Sequence, residues 1–201
     1  MRGNTHCRHR SVREEVKRAS SSGLLPLTER NEWGQFFGYV RVEWQADGRE
    51  MRLLADFVYS DQNNFDWDAP TGAYVDGASI PQFLWSAVGS PFIGKYRLAS
   101  VVHDIACCRK EQPWREVHRM FYYACRCAGV PGLRAKLMFA AVYAFGPKWP
   151  DNEREAFPDF TPRQFDALCE WIEEGDPPIE EIERRLFVTT RELDCFKDGS
   201  S

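Results

Sequence analysis

Residues 36–60 read FFGYVRVEWQADGREMRLLADFVYS, and this stretch decides the fold class of the first half of the chain. Apolar and polar side chains alternate on both sides of Asp47-Gly48, a dipeptide that favours a tight turn between antiparallel strands. The pattern therefore predicts strands near residues 36–45 and 50–59 that pair as a β-hairpin.

The pattern changes after the hairpin. Residues 61–82 are dense in Asn, Asp, Gly and Pro, so we expect loops and short strands there. From Pro81 onward apolar side chains recur about every 3.6 residues, which is the period of a helix. This period, with the Gly and Pro residues that interrupt it, predicts helices over about residues 80–88, 95–109, 113–128 and 133–145.

The composition shifts again after Pro150. The sequence from Thr161 to Gln164 has the spacing of a capping box with Pro at the first helical position, which predicts a helix from residue 162. A further short helix is predicted over residues 179–187. The fold class is therefore α+β: an N-terminal β-hairpin layer and a Gly/Pro-rich loop pack on a small α-helical cluster, followed by a C-terminal helical appendage.

Charge is distributed unevenly along a chain whose net charge is −4. Residues 1–23 hold six Lys and Arg against two Glu, residues 24–150 hold fourteen basic against thirteen acidic side chains, and residues 151–201 hold six against fifteen. We predict a disordered basic arm, an α+β domain and an acidic helical appendage over these three segments. Nucleic acid is not an expected partner except through the basic arm, because the middle segment has no basic patch with interleaved aromatic residues.

Composition excludes several classes of protein. A chain of 201 residues with 43% hydrophobic and 28% charged residues fits one globular domain and excludes collagen-like and wholly disordered proteins. Its longest apolar run, residues 137–145, is too short to span a bilayer, and residues 1–23 contain no apolar stretch typical of a signal peptide. The seven cysteines have neither zinc-knuckle nor disulfide-framework spacing, which predicts free thiols in a reducing cytoplasm.

His103 and Asp104 form the most informative pair of polar residues. His103 is predicted on a helix face of small residues, where another element can approach closely. If the helices over 95–109 and 113–128 form an antiparallel pair, His118 comes level with His103. Two imidazoles and a carboxylate could hold a divalent cation, or His103 could act as a general base. The structural alternative is that the histidines are satisfied core residues.

A second group of candidates lies at Asp76-Gly77-Ala78-Ser79. An Asp-Gly step favours a tight turn and Ser79 can cap the next helix, which is a complete structural explanation. The functional alternative is that Asp76 faces the His103 helix and helps Asp104 and His118 hold a divalent cation (Ca, Mg, Mn or Zn), or that exposed N–H groups hold an oxyanion. Catalysis requires the acidic turn and His103 to line one solvent-reachable cleft, whereas burial without an opening favours a structural role.

Three stretches, WDAPTGAYVDGASIPQFLW, RLASVVHDIAC and REVHRMFYYACRCAGV, together resemble a bacteriophage and prophage domain family of unknown function over roughly residues 36–146. The family pattern combines D-x-A-S-[IV]-P with H-D-x-x-Y on the following helix. Its recurring polar positions fall here on Asp76, Ser79, His103 and Asp104. Two positions depart from the pattern, since Cys107 replaces the aromatic of H-D-x-x-Y and His118 replaces an aspartate on the next helix.

The resemblance implies an accessory or virion protein of a bacteriophage, such as a tail or structural component, which contacts other phage or host proteins. It would be located in the host bacterial cytoplasm or incorporated in the virion, and its motifs would lock the fold. The alternative is a metal-assisted hydrolase in which His103 deprotonates a water and a cation polarises an ester or phosphoester. The order of the Asp-Gly turn, the His-Asp pair and His118 is similar, by analogy only, to that of secreted phospholipase A2.

Overall fold

The structure is a computed structural model that describes residues 20–46, 50–75, 94–150 and 160–187. Within these ranges six short strands form two antiparallel sheets, and helices follow them, so the predicted α+β class is confirmed. The strands are β1 (Gln35–Gly38), β2 (Val42–Trp44), β3 (Met51–Leu53), β4 (Phe57–Ser60), β5 (Asp66–Ala69) and β6 (Tyr74–Val75).

One register runs through both halves of the predicted hairpin. β1 pairs antiparallel with β4, which places Phe36 opposite Tyr59, and β2 pairs with β3, which places Val42 opposite Leu53. Both pairs are symmetric about the predicted turn, although residues 47–49 themselves lie outside the described residues. The pairing of the two predicted strands is confirmed.

The hairpin is divided into two sheets where β1 ends, at Gly38. This residue has a φ of 77°, and a Cβ there would lie 2.4 Å from the carbonyl oxygen of Asp56. Only glycine permits both the backbone conformation and the close approach. On one side of the division the sheet order is β1-β4-β5, and on the other side it is β2-β3-β6. β5 and β6 lie in the segment where loops and short strands are expected.

The helices agree with the periodicity of the sequence. The helices predicted over residues 95–109, 113–128 and 133–145 are present, with each end within two residues of its predicted position. The predicted capping box between Thr161 and Gln164 is also present. The predicted helix over residues 80–88 lies outside the described residues. The described helices are α1 (Arg97–Arg109), α2 (Trp114–Cys127), α3 (Gly132–Phe145), α4 (Pro162–Gly175) and α5 (179–187).

α1 is the central helix of the fold. It contacts β4, β5 and β6 on one side and α2 on the other, so eight of its thirteen residues are buried. The sequence predicted burial mainly along one apolar stripe, whereas Ser100, His103 and Asp104 are also buried. A helix packed from two sides must place polar side chains in the interior, where they need hydrogen-bond partners.

The C-terminal helices pack on the same core. Phe165 and Ile172 of α4 are buried, and they belong to one apolar cluster with residues of the sheets and of α1. An ion pair between the Arg119 guanidinium and the Glu183 carboxylate joins α2 to α5. The boundaries predicted at residues 23 and 150 stay predictions, since residues 1–19 and 151–159 lie outside the described part. None of the described helices is both long and apolar enough to cross a membrane.

Candidate functional site

His103 and His118 meet in the core between α1 and α2. α1 ends at Arg109 and is followed by Lys110, whose φ of 55° is left-handed. α2 begins at Trp114, directly after Pro113, so the two helices form a tight α-hairpin. This connection brings Nε2 of His103 to 2.9 Å from Nδ1 of His118. The predicted level placement of the two histidines is therefore observed, and both side chains are fully buried.

Aromatic rings and backbone enclose the two imidazoles. The ring centre of Phe121 lies 4.8 Å from that of His103, and the ring centre of Trp114 lies 5.4 Å from that of His118. Gly146, at the end of α3, covers the other edge, since a Cβ there would lie 3.1 Å from Cε1 of His118. The histidine pair thus sits in a close-fitting, largely apolar surround.

Burial keeps both imidazoles neutral. Desolvation lowers the pKa of His103 from 6.5 to about 3. The pKa of His118 is lowered well below 6.5, mainly by desolvation and further by the repulsion that a protonated His103 and Lys148 would exert, while the backbone of Pro147 acts in the opposite direction. At neutral pH one imidazole therefore donates its N–H to the bare nitrogen of the other. An imidazole of such low pKa is a weak general base at neutral pH.

Cys107 completes the group. It lies one helical turn after His103, and its Sγ is 3.6 Å from Nε2 of that histidine. Among the described residues, the group of His, Cys, Asp and Glu side chains close enough to share a metal ion is His103, Cys107 and His118, whose ligand atoms all lie within 4.8 Å of one another. Their chemistry is that of two neutral imidazoles and one free thiol.

Sequence reasoning missed Cys107 as a functional residue, because it was noted only as a departure from the family pattern. The signal that could have found it is its spacing of four residues from His103, which places both side chains on one helix face. The prediction that every cysteine is a free thiol is wrong at Cys108, which is disulfide-bonded. Free thiols are present at Cys107, Cys125, Cys127 and Cys169.

Asp104 is the one other predicted catalytic or metal-ligating residue within the described ranges, and it lies outside this group. Asp104 is buried, with 4% of its surface exposed, and it is engaged in contacts of its own. It does not belong to the group formed by the histidines and Cys107. The predicted turn and cap residues Asp76, Gly77 and Ser79 lie outside the described residues. Their predicted roles, in a cation site or in the turn and helix cap, therefore stay predictions.

A cleft of about 100 Å³ lies on a neighbouring side of α1, between that helix and β5. Val102 and Ala106 line it, and these are the residues directly before His103 and Cys107. Arg109 also lines it and donates a 2.8 Å hydrogen bond to the carboxylate of Asp68. Neither histidine lines this cleft, so it does not provide the solvent path to His103 that catalysis requires.

Comparison with known proteins places the site in a shared region. Residues 51–142 match the model of a family described as "Protein of unknown function (DUF1353)", and this range contains His103, Cys107 and His118. The predicted resemblance to a domain family of unknown function is confirmed for this range. No solved structure matches the chain significantly.

Two relatives come from Sinorhizobium fredii (strain NBRC 101917 / NGR234). The chain is 50% identical over 105 residues to "Uncharacterized protein y4jT" and 42% identical over 121 residues to "Uncharacterized protein y4iH". These alignments cover 52% and 60% of this chain but 31% and 50% of the two relatives. The chain therefore spans half or less of the length of the curated relatives it matches.

Proposed function

We propose that this chain is a non-enzymatic accessory or virion component of a bacteriophage or prophage, in which the His103-Asp104 motif stabilises the fold. The observation that carries the proposal is the complete burial of His103 together with its hydrogen bond to His118. A histidine that is neutral, paired and enclosed by aromatic rings fixes the packing of two helices. It is not presented to a substrate.

In this proposal the protein acts in the host bacterial cytoplasm or in the assembled particle, where it contacts other phage or host proteins. The disulfide at Cys108 favours the assembled particle, because the cytoplasm keeps most thiols reduced. The acidic segment 151–201, with six basic against fifteen acidic residues, would serve as a docking element for a basic partner surface. Mass spectrometry of purified particles, from a strain that carries the gene, separates the virion component from an accessory protein found only in the cell lysate.

The structural role of the motif is tested by the stability of His103→Ala. Truncation leaves a cavity in the core and a buried His118 nitrogen without its partner, so the free energy of unfolding should fall by roughly 2–4 kcal/mol. Arg97→Ala is the matched control, because it truncates an exposed residue of the same helix. Urea unfolding measures both variants. Equal stability of His103→Ala and the wild type would contradict the structural role.

A metal-assisted hydrolase is the second candidate, and the convergence of His103 and His118 favours it. In this mechanism Asp104, Asp76 and His118 would hold a divalent cation able to polarise an ester or phosphoester, and His103 would accept a proton from the attacking water. The low pKa of His103 and its burial work against the mechanism, because the histidine must meet water and hold the proton.

The hydrolase is tested with p-nitrophenyl esters and bis-p-nitrophenyl phosphate in the presence of Ca²⁺, Mg²⁺, Mn²⁺ or Zn²⁺. Cation-dependent turnover that Asp104→Asn abolishes, with the far-UV circular dichroism spectrum unchanged, supports a catalytic site. Release of p-nitrophenol at the rate of the protein-free blank with every cation removes the hydrolase for these substrate classes.

A further inference from the structure

We propose that His103, Cys107 and His118 form a site for one Zn²⁺ ion that links two helices, with Cys107 bound as the thiolate and a water molecule as the fourth ligand. This site differs from the cation set predicted from the sequence, which consisted of Asp76, Asp104 and His118. It does not depend on the proposed phage function, because a structural metal ion would serve a scaffold and a hydrolase equally.

The first support is the arrangement of the ligand atoms. Tetrahedral Zn²⁺ with Zn–N bonds of about 2.0 Å and Zn–S bonds of about 2.3 Å separates N and S ligand atoms by about 3.6 Å and two N atoms by about 3.3 Å. Here Nε2 of His103 is 2.9 Å from Nδ1 of His118, and Sγ of Cys107 is 3.6 Å from Nε2 and 3.9 Å from Nδ1 of His103, so the sulfur lies beside the ring rather than beyond its Nε2 edge. Binding of the ion therefore requires rotation of the Cys107 side chain toward Nε2 as well as an increase of a few tenths of an ångström in the N–N distance.

The second support is the chemistry of the three side chains. Imidazole and thiolate are the ligands that Zn²⁺ prefers, whereas Ca²⁺ and Mg²⁺ prefer oxygen. The burial of both histidines favours their neutral forms, which are the forms that bind a metal. His103 and Cys107 lie four residues apart on α1 and His118 lies on α2, so the ion would cross-link the two helices of the α-hairpin.

The third support is the backbone beside the second ring nitrogen of His118. Nε2 of His118 is buried and has no hydrogen bond of normal geometry. A metal on Nδ1 fixes the remaining proton on Nε2, the nitrogen opposite the shared site. The backbone of Pro147 interacts with this imidazole, and metal-bound histidines commonly donate their second N–H to a backbone carbonyl.

The charge of a buried ion must also be balanced. Zn²⁺ and one thiolate leave a formal charge of +1, and the charge of Lys148 also acts on His118, so the carboxylate of Asp104, buried directly after His103, would offset part of this positive charge. Because the three ligands are enclosed by the fold, we expect the ion to enter while the protein folds, as in other structural zinc sites.

The experiment refolds the full chain from urea under nitrogen, after removal of metals with a chelator, with one equivalent of ZnCl₂ or CoCl₂ or with none. One equivalent should bind, and the midpoint of thermal unfolding should rise by about 5–10 °C at saturating Zn²⁺. Bound Co²⁺ should show an intense thiolate-to-metal charge-transfer band in the near ultraviolet. No bound metal, or no such band, would overturn the proposal.

Cys125→Ser is the matched control for Cys107→Ser, since Cys125 is also a fully buried free thiol but lies outside the group. The charge-transfer band should persist in Cys125→Ser and disappear in Cys107→Ser. The reverse pattern refutes the assignment. Iodoacetamide labelling of the wild-type chain in moderate urea, mapped by mass spectrometry, tests the site without a variant. Zn²⁺ should slow the labelling of Cys107 and leave the labelling of Cys125 unchanged. Equal labelling of Cys107 with and without the ion would contradict the site.

Discussion

Acidification should destabilise the metal-free protein through its buried histidines. His103 has a pKa of 6.5 before burial, and desolvation lowers it to about 3 in the folded chain. Between these two values the unfolded chain binds a proton that the folded chain does not bind, so the free energy of unfolding falls as the pH falls. The contribution is fully present above about pH 6.5 and is lost progressively towards pH 3.

The magnitude follows from the difference between the two pKa values. Each unit corresponds to about 1.4 kcal/mol, so His103 alone should cost about 2 kcal/mol at pH 5 and roughly 4 kcal/mol near pH 3. The pKa of His118 is lowered in the same direction and for the same main reason, which adds to the loss. Domains are commonly stable by about 5–15 kcal/mol, so the histidine pair should account for much of the acid unfolding.

Urea unfolding followed by tryptophan fluorescence, in EDTA at pH 8, 7, 6 and 5, measures this dependence. Carboxylates also titrate at low pH, so the comparison with His103→Gln isolates the imidazole. Gln can place a polar atom near the position of Nε2 but does not titrate. The free energy of unfolding of this variant should therefore decline less steeply than that of the wild type between pH 7 and 5. Identical slopes for the variant and the wild type, or a wild type equally stable at pH 8 and pH 5, would refute the reasoning.

Three further predictions concern contacts around the helices. Glu183→Ala should lower the free energy of unfolding by roughly 1–2 kcal/mol, because it removes the ion pair between α5 and α2, whereas the exposed Glu181→Ala on the same helix should change it little in urea titrations. Gly146→Ala should cost roughly 1–3 kcal/mol and lower the thermal midpoint, since its Cβ would meet backbone at 2.3 Å, whereas Gly23→Ala has open space and should be neutral. Thr161→Ala should cost about 1 kcal/mol by loss of the capping box and increase amide exchange in the first turn of α4.

The sequence was sufficient for the elements that carry local signals. Helical periodicity and residues such as Gly129, which follows α2 with a φ of 82°, located the helices. The short connection between α1 and α2 was enough to predict that His103 and His118 lie level. In each case the deciding interactions join residues close together in the sequence.

The features of the fold and site that the sequence did not predict depend on contacts between segments that are distant in the chain. The division of the hairpin at Gly38 follows from the approach of the Asp56 backbone, which no local pattern reports. The burial of α1 on two sides follows from the position of β5 and β6 against it. The ligand role proposed for Cys107 depends on the position of His118 beside α1. The sequence alone did not suggest it, because a lone cysteine four residues after a histidine matches no zinc signature.

The shared register of the two sheets has a consequence for the order in which they assemble. Only a few residues lie between β2 and β3, so pairing these strands closes a short loop. Once they are paired, the loop that remains to be closed by the pairing of β1 with β4 is also short. The sheet of β1, β4 and β5 can then form after the sheet of β2, β3 and β6, in the same register. A nick in the chain between residues 46 and 50 should therefore slow refolding more than it accelerates unfolding.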